Sequence, residues 1–354
     1  MYDVTVIGPA LIDVLAAPFS MEAMERDSRY LDQIRMSFGG DALNESAVLT
    51  RLGKKVQLIS KVGADEAGRT VLNYLHKNGI DTDSVQVEKG LETAVNIALI
   101  AEDGSRKFLM NPHSSLRRLG LEDVMPVLSQ ILADSQGAKI VSFASMFISP
   151  LFTVEKMKEL FAAVKAAGRT LVVDVTRAKN GETLEDLKDL LPYIDVFVPN
   201  DEEIASLTGV QDPAENVRIL VEAGVKTAVV KIGGEGCLVG TKAETVSTGT
   251  AGTASADTMD ETEGLPSNAV QDTIVRDGVR IVHVHAVPDA ACIDTTGAGD
   301  TFAAGLIAGL CNGWSLPECA KLGCAAASCS IEQIGATDGV RSLDQVMERY
   351  HMIP

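Results

Sequence analysis

AKIVSFASMFISPLFTVEKMKELFAAVKAAGRTLVVDVT, residues 138–176, reads as strand, helix and strand. Its outer runs, AKIVSFAS (138–145) and RTLVVDVT (169–176), are almost continuous in apolar residues, the mark of strands covered on both faces. FTVEKMKELFAAVKAAG (152–168) between them has the spacing of a helix. The same kind of strand recurs in YDVTVIG (2–8), KVQLISKVG (55–63), IDVFVPN (194–200) and TAVVKIG (227–233). Helical stretches such as DEAGRTVLNYLHKNG (65–79) and AENVRILVEAG (214–224) fall between many of them. The expected fold is α/β, a mainly parallel sheet with helices on both sides.

Two early segments break this rhythm. LDQIRMSF (31–38) alternates, and TAVNIALIAEDGSRKFLMNP (93–112) reads as a hairpin turning at Glu102, Asp103 and Gly104. They predict a small second sheet drawn from about 11–37 and 91–112, within one domain spanning 1–354. Residues 241–278, rich in Thr, Ser, Gly and acids, read as a long, mobile surface insertion without periodicity. Ser315 and Glu318 have the spacing of a capping box with Pro317 in the first turn, opening a C-terminal helix.

The 354 residues and 46% hydrophobic content are enough for a substantial core. A net charge of −18, from 49 acidic against 31 basic residues, argues against nucleic-acid and anionic-membrane partners, which need a basic face. With no apolar run of membrane-spanning length and no basic start, a cytoplasmic protein is expected. The six cysteines contain no C-x-x-C pair and read as small buried residues in a reducing compartment.

In DTTGAGDTF (294–302), Gly297 and Gly299 flank Ala298 where a loop turns into a helix. Unpaired N–H groups there, with the helix dipole, form a pocket for an oxyanion. Asp300 in the first turn reads as a helix-dipole or capping residue when taken alone. A carboxylate beside a phosphate pocket gains a second meaning, a general base for an alcohol next to a transferring phosphoryl group. The segment lacks the lysine of a Walker A loop, and it is too far from the first strand to be a dinucleotide fingerprint.

Other segments each keep a plain and a functional reading. SFGGDALNESAVLTRLG (37–53) is a glycine turn before a helix, or a place where Gly39 and Gly40 admit a ligand to hydrogen bonds from Asp41 and Asn44. Asp13, after the first strand, is a loop residue or a chelator of hydroxyls. Asn200 and Glu203 in VPNDEEIASLTG form a capping box, or Glu203 orients a metal-bound water. Gly233, Gly234 and Gly236 in KIGGEGCLVG make a turn or let a nucleotide approach the backbone. His283 and His285 share one face of VRIVHVHAV (279–287) and, with no third ligand nearby, read as structural.

Taken together, these segments resemble the ribokinase-like carbohydrate kinases of the PfkB family. GGDALNESAVLTRLGKKVQLISKVGADEAG (39–68) is similar to that family's N-terminal signature and DTTGAGDTFAAGLIAGL (294–310) to its C-terminal one, with PNDEE (199–203) and KIGGEG (231–236) between them in order. The resemblance implies a Rossmann-like domain with a small β lid, ATP and Mg²⁺ as cosubstrates, and phosphorylation of a hydroxymethyl group. It implies Asp300 as the base and Gly297, Ala298 and Gly299 as the anion hole. Asp13, Gly39, Gly40, Asp41 and Asn44 would meet the sugar; Asn200, Lys231, Gly233 and Gly236 the nucleotide; and Glu203 the Mg²⁺ through water. In members activated by a monovalent cation, K⁺ among them, Asp294 and Thr296 match positions near the ion, with a carbonyl near Gly335. Pairing of two lids into a homodimer is also implied.

Lys231 stands where many members carry threonine, and the insertion is longer than expected of ribokinase. GGDALN looks more like the ketodeoxygluconate kinases and some fructokinases than ribokinase. A sugar acid would need a cation, for which Arg106, Lys107, Arg117 and Arg118 lie near the expected hairpin. A nucleoside kinase would use Phe38 or Phe108 for stacking. More distant readings are a nucleotide-binding oxidoreductase and a silent regulator.

Overall fold

The structure is a computed structural model that describes residues 2–20, 28, 30–101, 106–133, 137–243 and 272–354. Its strands are β1 (Val4–Ile7), β2 (Leu11–Ala17), β3 (Gln33–Gly39), β4 (Val56–Gly63), β5 (Val85–Glu88), β6 (Val95–Ile100), β7 (Arg106–Leu109), β8 (Ile140–Met146), β9 (Thr170–Val175), β10 (Val196–Phe197), β11 (Thr227–Lys231), β12 (Cys237–Lys242), β13 (Thr273–Arg276) and β14 (Val279–Val284). The helices are α1 (Asp41–Arg51), α2 (Glu66–Lys77), α3 (Leu121–Ala133), α4 (Val154–Ala166), α5 (Leu184–Leu187), α6 (Asp201–Thr208), α7 (Pro213–Glu222), α8 (Ala298–Cys311), α9 (Leu316–Ser330) and α10 (Leu343–Tyr350).

Ten strands form one sheet in the order β13-β14-β12-β11-β10-β9-β8-β1-β4-β5, parallel from β11 through β5. All eight residues of β4 and all seven of β8 are buried, as strands covered on both faces require, and this burial takes in Gln57, Ser60 and Lys61 of β4 and Ser142 and Ser145 of β8. Val4 and Val6 pack into a core with α1, α8 and α9, while Ile7 faces the opposite core with α3 and α4. From β8 the chain winds outward through β9, β10 and β11, and from β1 it winds the other way through β4 and β5. The direction therefore switches between β1 and β8, the place where open α/β sheets form a crevice at the carboxyl ends of their strands.

Beyond β11 the sheet ends in antiparallel strands. Here the aperiodic reading of 241–278 needs correction at its edges, since Thr241 and Lys242 belong to β12 and Thr273–Arg276 to β13. Asp277 and Gly278, with φ of 46° and 76°, turn β13 into β14. An Asp-Gly pair supplies the two positive φ values of a tight hairpin, a local signal hidden inside a polar stretch. The remainder, 244–271, and the mobility expected of it lie outside the described residues.

The second sheet has the order β3-β2-β6-β7. Its register places Met36, Val14, Ile97 and Leu109 in one cross-strand row, and Ser37, Asp13 and Asn96 in the next, so the two rows lie on opposite faces. The first face is apolar and largely exposed, and the second carries the polar groups. The expected turn at Glu102, Asp103 and Gly104 lies outside the described residues, although the strands on either side of it pair from Ile97 with Leu109 to Ile100 with Arg106.

Candidate active site

Four crevice-facing segments come from the carboxyl ends of β8, β9, β10 and β11, and two more from the starts of α1 and α8. Asp300 sits half-buried in the first turn of α8, whose N-cap is Gly297. Gly297 has φ of 69°, and a Cβ there would come within 2.7 Å of the Ala336 Cα, so neither the turn nor the packing tolerates a side chain. Asn44, in the first turns of α1, donates its Nδ2 to the Asp300 Oδ2 at 2.8 Å. The Asn44 Oδ1 is buried without a partner, an acceptor left for a ligand.

Around Asp300 lies a cluster of acids sharing one ammonium. The Lys231 Nζ donates to both Asp174 oxygens at 3.0 and 3.1 Å, and a Cβ on Gly299 would stand 3.2 Å from that nitrogen. The missing side chain leaves space between the ammonium and the helix N-terminus. Asp41 accepts a hydrogen bond from the Ser145 hydroxyl; Ser145 has φ of 67° where β8 departs from regular pairing. Burial first, then the Asp41 charge, push the Asp300 carboxyl well above its usual range, opposed by Asn44 and Lys231. Burial likewise raises Asp41 and Asp174, and it lifts Glu45 to about 8. Burial pulls Lys231 down, but the charges of Asp174, Glu203 and Asp300 outweigh it and leave the ammonium more basic than usual.

Asn200 and Glu203 are brought to the same crevice and form a reciprocal capping box at the start of α6, with both bonds 2.8 Å. Burial raises Glu203 to about 7, against the pull of Lys231. A cleft of 690 Å³ runs from Asn200 and Lys231 over Gly233, Gly234 and Gly236 to Ala298, Gly299 and the face of α9. That volume suits a nucleotide-sized ligand.

Asp13 lies on the inner face of the small sheet, where Asn96 donates to its Oδ1 at 3.1 Å and burial lifts it to about 6. Gly39 has the reason for its glycine here, because a Cβ would stand 2.0 Å from the Asp13 Oδ2. Gly40, with φ of 91°, turns β3 into α1.

Asp294 accepts from the Thr296 N–H at 2.9 Å and hydroxyl at 2.6 Å and from the Gly335 N–H at 2.9 Å. The Arg106 guanidinium of β7 reaches Asp294 at 3.0 Å and also bonds the hydroxyls of Thr295 and Thr296. These bonds and the arginine hold Asp294 below its usual range despite its burial. Lys107 pairs with Leu99 on the outer face, away from Asp13. Phe38 stacks on Tyr74 with centroids 3.8 Å apart.

Asn96, Asp174, Glu45 and Ser145 belong to this neighbourhood and were not singled out from sequence. A lone acid or amide inside an apolar strand, as in RTLVVDVT and TAVNIALI, is the signal that could have found two of them.

Residues 1–259 and 266–343 match the family model described as pfkB family carbohydrate kinase. The chain belongs to the PfkB family of carbohydrate kinases. Among curated members it is 28% identical over 302 residues to an uncharacterized sugar kinase of Archaeoglobus fulgidus, covering 84% of this chain and 99% of that one. It is 24% identical to the ribokinase of Haemophilus influenzae, covering 97% of both. In fold it is similar to a putative ribokinase II from E. coli solved with ATP and Mg²⁺, with a TM-score of 0.74, 19% identity and 99% of both chains covered. Membership of the PfkB family makes this a kinase and sets aside the oxidoreductase reading.

Proposed function

We propose that this PfkB kinase transfers the γ-phosphoryl group of ATP to a hydroxymethyl group of a small carbohydrate of the fructose, ribose or 2-keto-3-deoxygluconate type. The observation that carries the reading is Asp300, held by Asn44 at the glycine-capped start of α8, with Lys231 alongside. Asp300 takes the proton of the acceptor hydroxyl as its oxygen attacks the γ-phosphorus. The bond from that phosphorus to the β–γ bridging oxygen breaks, and ADP leaves. N–H groups at Gly297, Ala298 and Gly299, together with Lys231, stabilise the charge on the transferring group. Asp13, Gly39, Gly40, Asp41 and Asn44 line the sugar side; Asn200, Gly233 and Gly236 line the nucleotide side.

Mg²⁺ fits the donor set, because the carboxylate oxygens of Asp41, Asp174, Asp300 and Glu203 gather around the Lys231 ammonium, and burial raises all four against the pull of its charge. Glu203 would hold it through water, and when bound it neutralises phosphate charge. Asp294, Thr296 and the Gly335 backbone are the proposed monovalent-cation position, where the Arg106 guanidinium already supplies positive charge. This engagement of Arg106 leaves it unavailable to a sugar-acid carboxylate in the same arrangement.

The chain acts as one kinase domain with the four-stranded sheet as its lid. The exposed apolar face of Ile34, Met36, Ile97 and Leu109 supports a homodimer formed lid to lid. Six free cysteines are in keeping with a reducing cytoplasm. A nucleoside acceptor is the second reading, favoured by Phe108, which is exposed in register with Ala98 on the Asp13 face. ADP release measured against hexoses, pentoses, sugar acids and nucleosides, with and without K⁺, tests the assignment. Stimulation by one of the sugars supports it, stimulation by nucleosides alone supports the second reading, and no stimulation by any of them contradicts both.

A further inference from the structure

The hairpin of β13 and β14 changes the standing of the two histidines in VRIVHVHAV. His283 and His285 are two residues apart on one strand and therefore share a face. Thr273 pairs with Val282, and the next pair outward is Asp272 with His283, tied by a His283 N–H to Asp272 carbonyl bond of 3.0 Å. Residues directly opposite on paired strands lie on the same face. The register thus brings a carboxylate from a position eleven residues away onto the histidine face, and ligand atoms of all three side chains lie within 4.8 Å of one another. The imidazole centroids are 4.2 Å apart.

We propose that Asp272, His283 and His285 bind a divalent transition ion of the zinc class, with water completing its coordination. Two imidazoles and one carboxylate suit Zn²⁺, Co²⁺ or Ni²⁺ far better than Mg²⁺, which prefers oxygen ligands. The site has an outer partner as well, because the His283 Nε2 lies 2.9 Å from the Glu235 carbonyl. A proton on Nε2 donated to that carbonyl fixes the tautomer that leaves Nδ1 with its lone pair for a metal, the usual arrangement behind a ligating histidine. Glu235 belongs to the glycine loop of the cleft, and Ala286 and Val287, which follow His285, line the same cleft. A bound ion therefore braces the nucleotide loop from outside without touching the acids around Asp300.

The test is calorimetric titration of the chelator-treated full chain with Zn²⁺ in excess Mg²⁺, repeated with Co²⁺ to read its visible d–d absorption. His285→Ala and Asp272→Asn, both at accessible positions, are compared with the parent after thermal melts confirm that they fold. One saturable ion per chain is expected, with affinity lost ten-fold or more in each variant and the Co²⁺ band lost with it. No saturable binding, or equal binding in parent and variants, would overturn the site. Zn²⁺ is also expected to change KM for ATP in the parent and not in His285→Ala, and an unchanged KM would overturn the link to the loop. The binding readout stands apart from the phosphotransfer reading, so the two can fail separately.

Discussion

The side-chain amide of Asn44 donates to the carboxylate of Asp300 at 2.8 Å, joining the starts of two glycine-led helices that lie 256 positions apart in the chain. One end of Asn44 thus orients the proposed base, while its Oδ1 is buried without a partner. Asn44→Ala is expected to lower kcat/KM for the sugar by about ten-fold or more, in line with losing a hydrogen bond to a charged group at about 1.5–3 kcal/mol. Asn44→Asp, which adds a further acid to an already crowded cluster, should do more damage, and steady-state kinetics should show the ordering.

Glu45 is buried beside the cluster and titrates near 8, raised by burial first and then by Asp174 and Asp41 against the pull of Ser142 and Lys231. A carboxyl whose folded pKa exceeds its unfolded value stabilises the fold fully below the unfolded pKa, and that stabilisation is lost as pH rises through the folded value. Between about pH 5 and 8 its contribution should fall by about 1.4 kcal/mol per pH unit. Glu45→Gln, which keeps the shape and removes the titration, should flatten that part of the stability profile. Denaturant melts at pH 5.5 to 8.5 check it, and parallel profiles for the two proteins would contradict it.

Arg106 of the small sheet reaches 190 positions along the chain to Thr296 and pairs with Asp294. Because its guanidinium already balances Asp294, activity of the parent should depend only weakly on K⁺. Arg106→Ala should lose activity in K⁺-free buffer and recover part of it with added K⁺. Activity of the variant that is equally low at every K⁺ concentration would contradict the exchange of one cation for the other.

The outer face of the small sheet leaves Met36 and Ile97, which flank Val14 of β2 in one cross-strand row, more than a third exposed. Light scattering should give twice the 37.4 kDa chain mass, and Met36→Asp with Ile97→Asp should return it to a monomer. A parent of single-chain mass would reject the pairing.

The parallel strands were legible because burial on both faces favours apolar residues, and in β4, where all eight positions are buried, Val56, Leu58, Ile59 and Val62 carry that signal despite Gln57, Ser60 and Lys61. The glycine-to-helix turns before Asp41 and Asp300 were legible for a similar reason, since few residue types satisfy them. What sequence concealed is pairing at a distance. Asp174 looks like a stray acid until Lys231 is seen 3.0 Å away, and Asp272 looks like loop until β13 sets it opposite His283. Arg106 read as one of several charges near a hairpin, and only the packing of that sheet over Asp294 distinguishes it from Lys107.

Asp300→Asn tests the central claim most directly, because it preserves shape and hydrogen-bonding capacity while removing the group that accepts the proton. The account predicts ATP affinity close to the parent's, an unchanged melting profile at low pH, and turnover lowered by about 10²–10⁴. Turnover within about three-fold of the parent, with the same sugar and ATP, would contradict it.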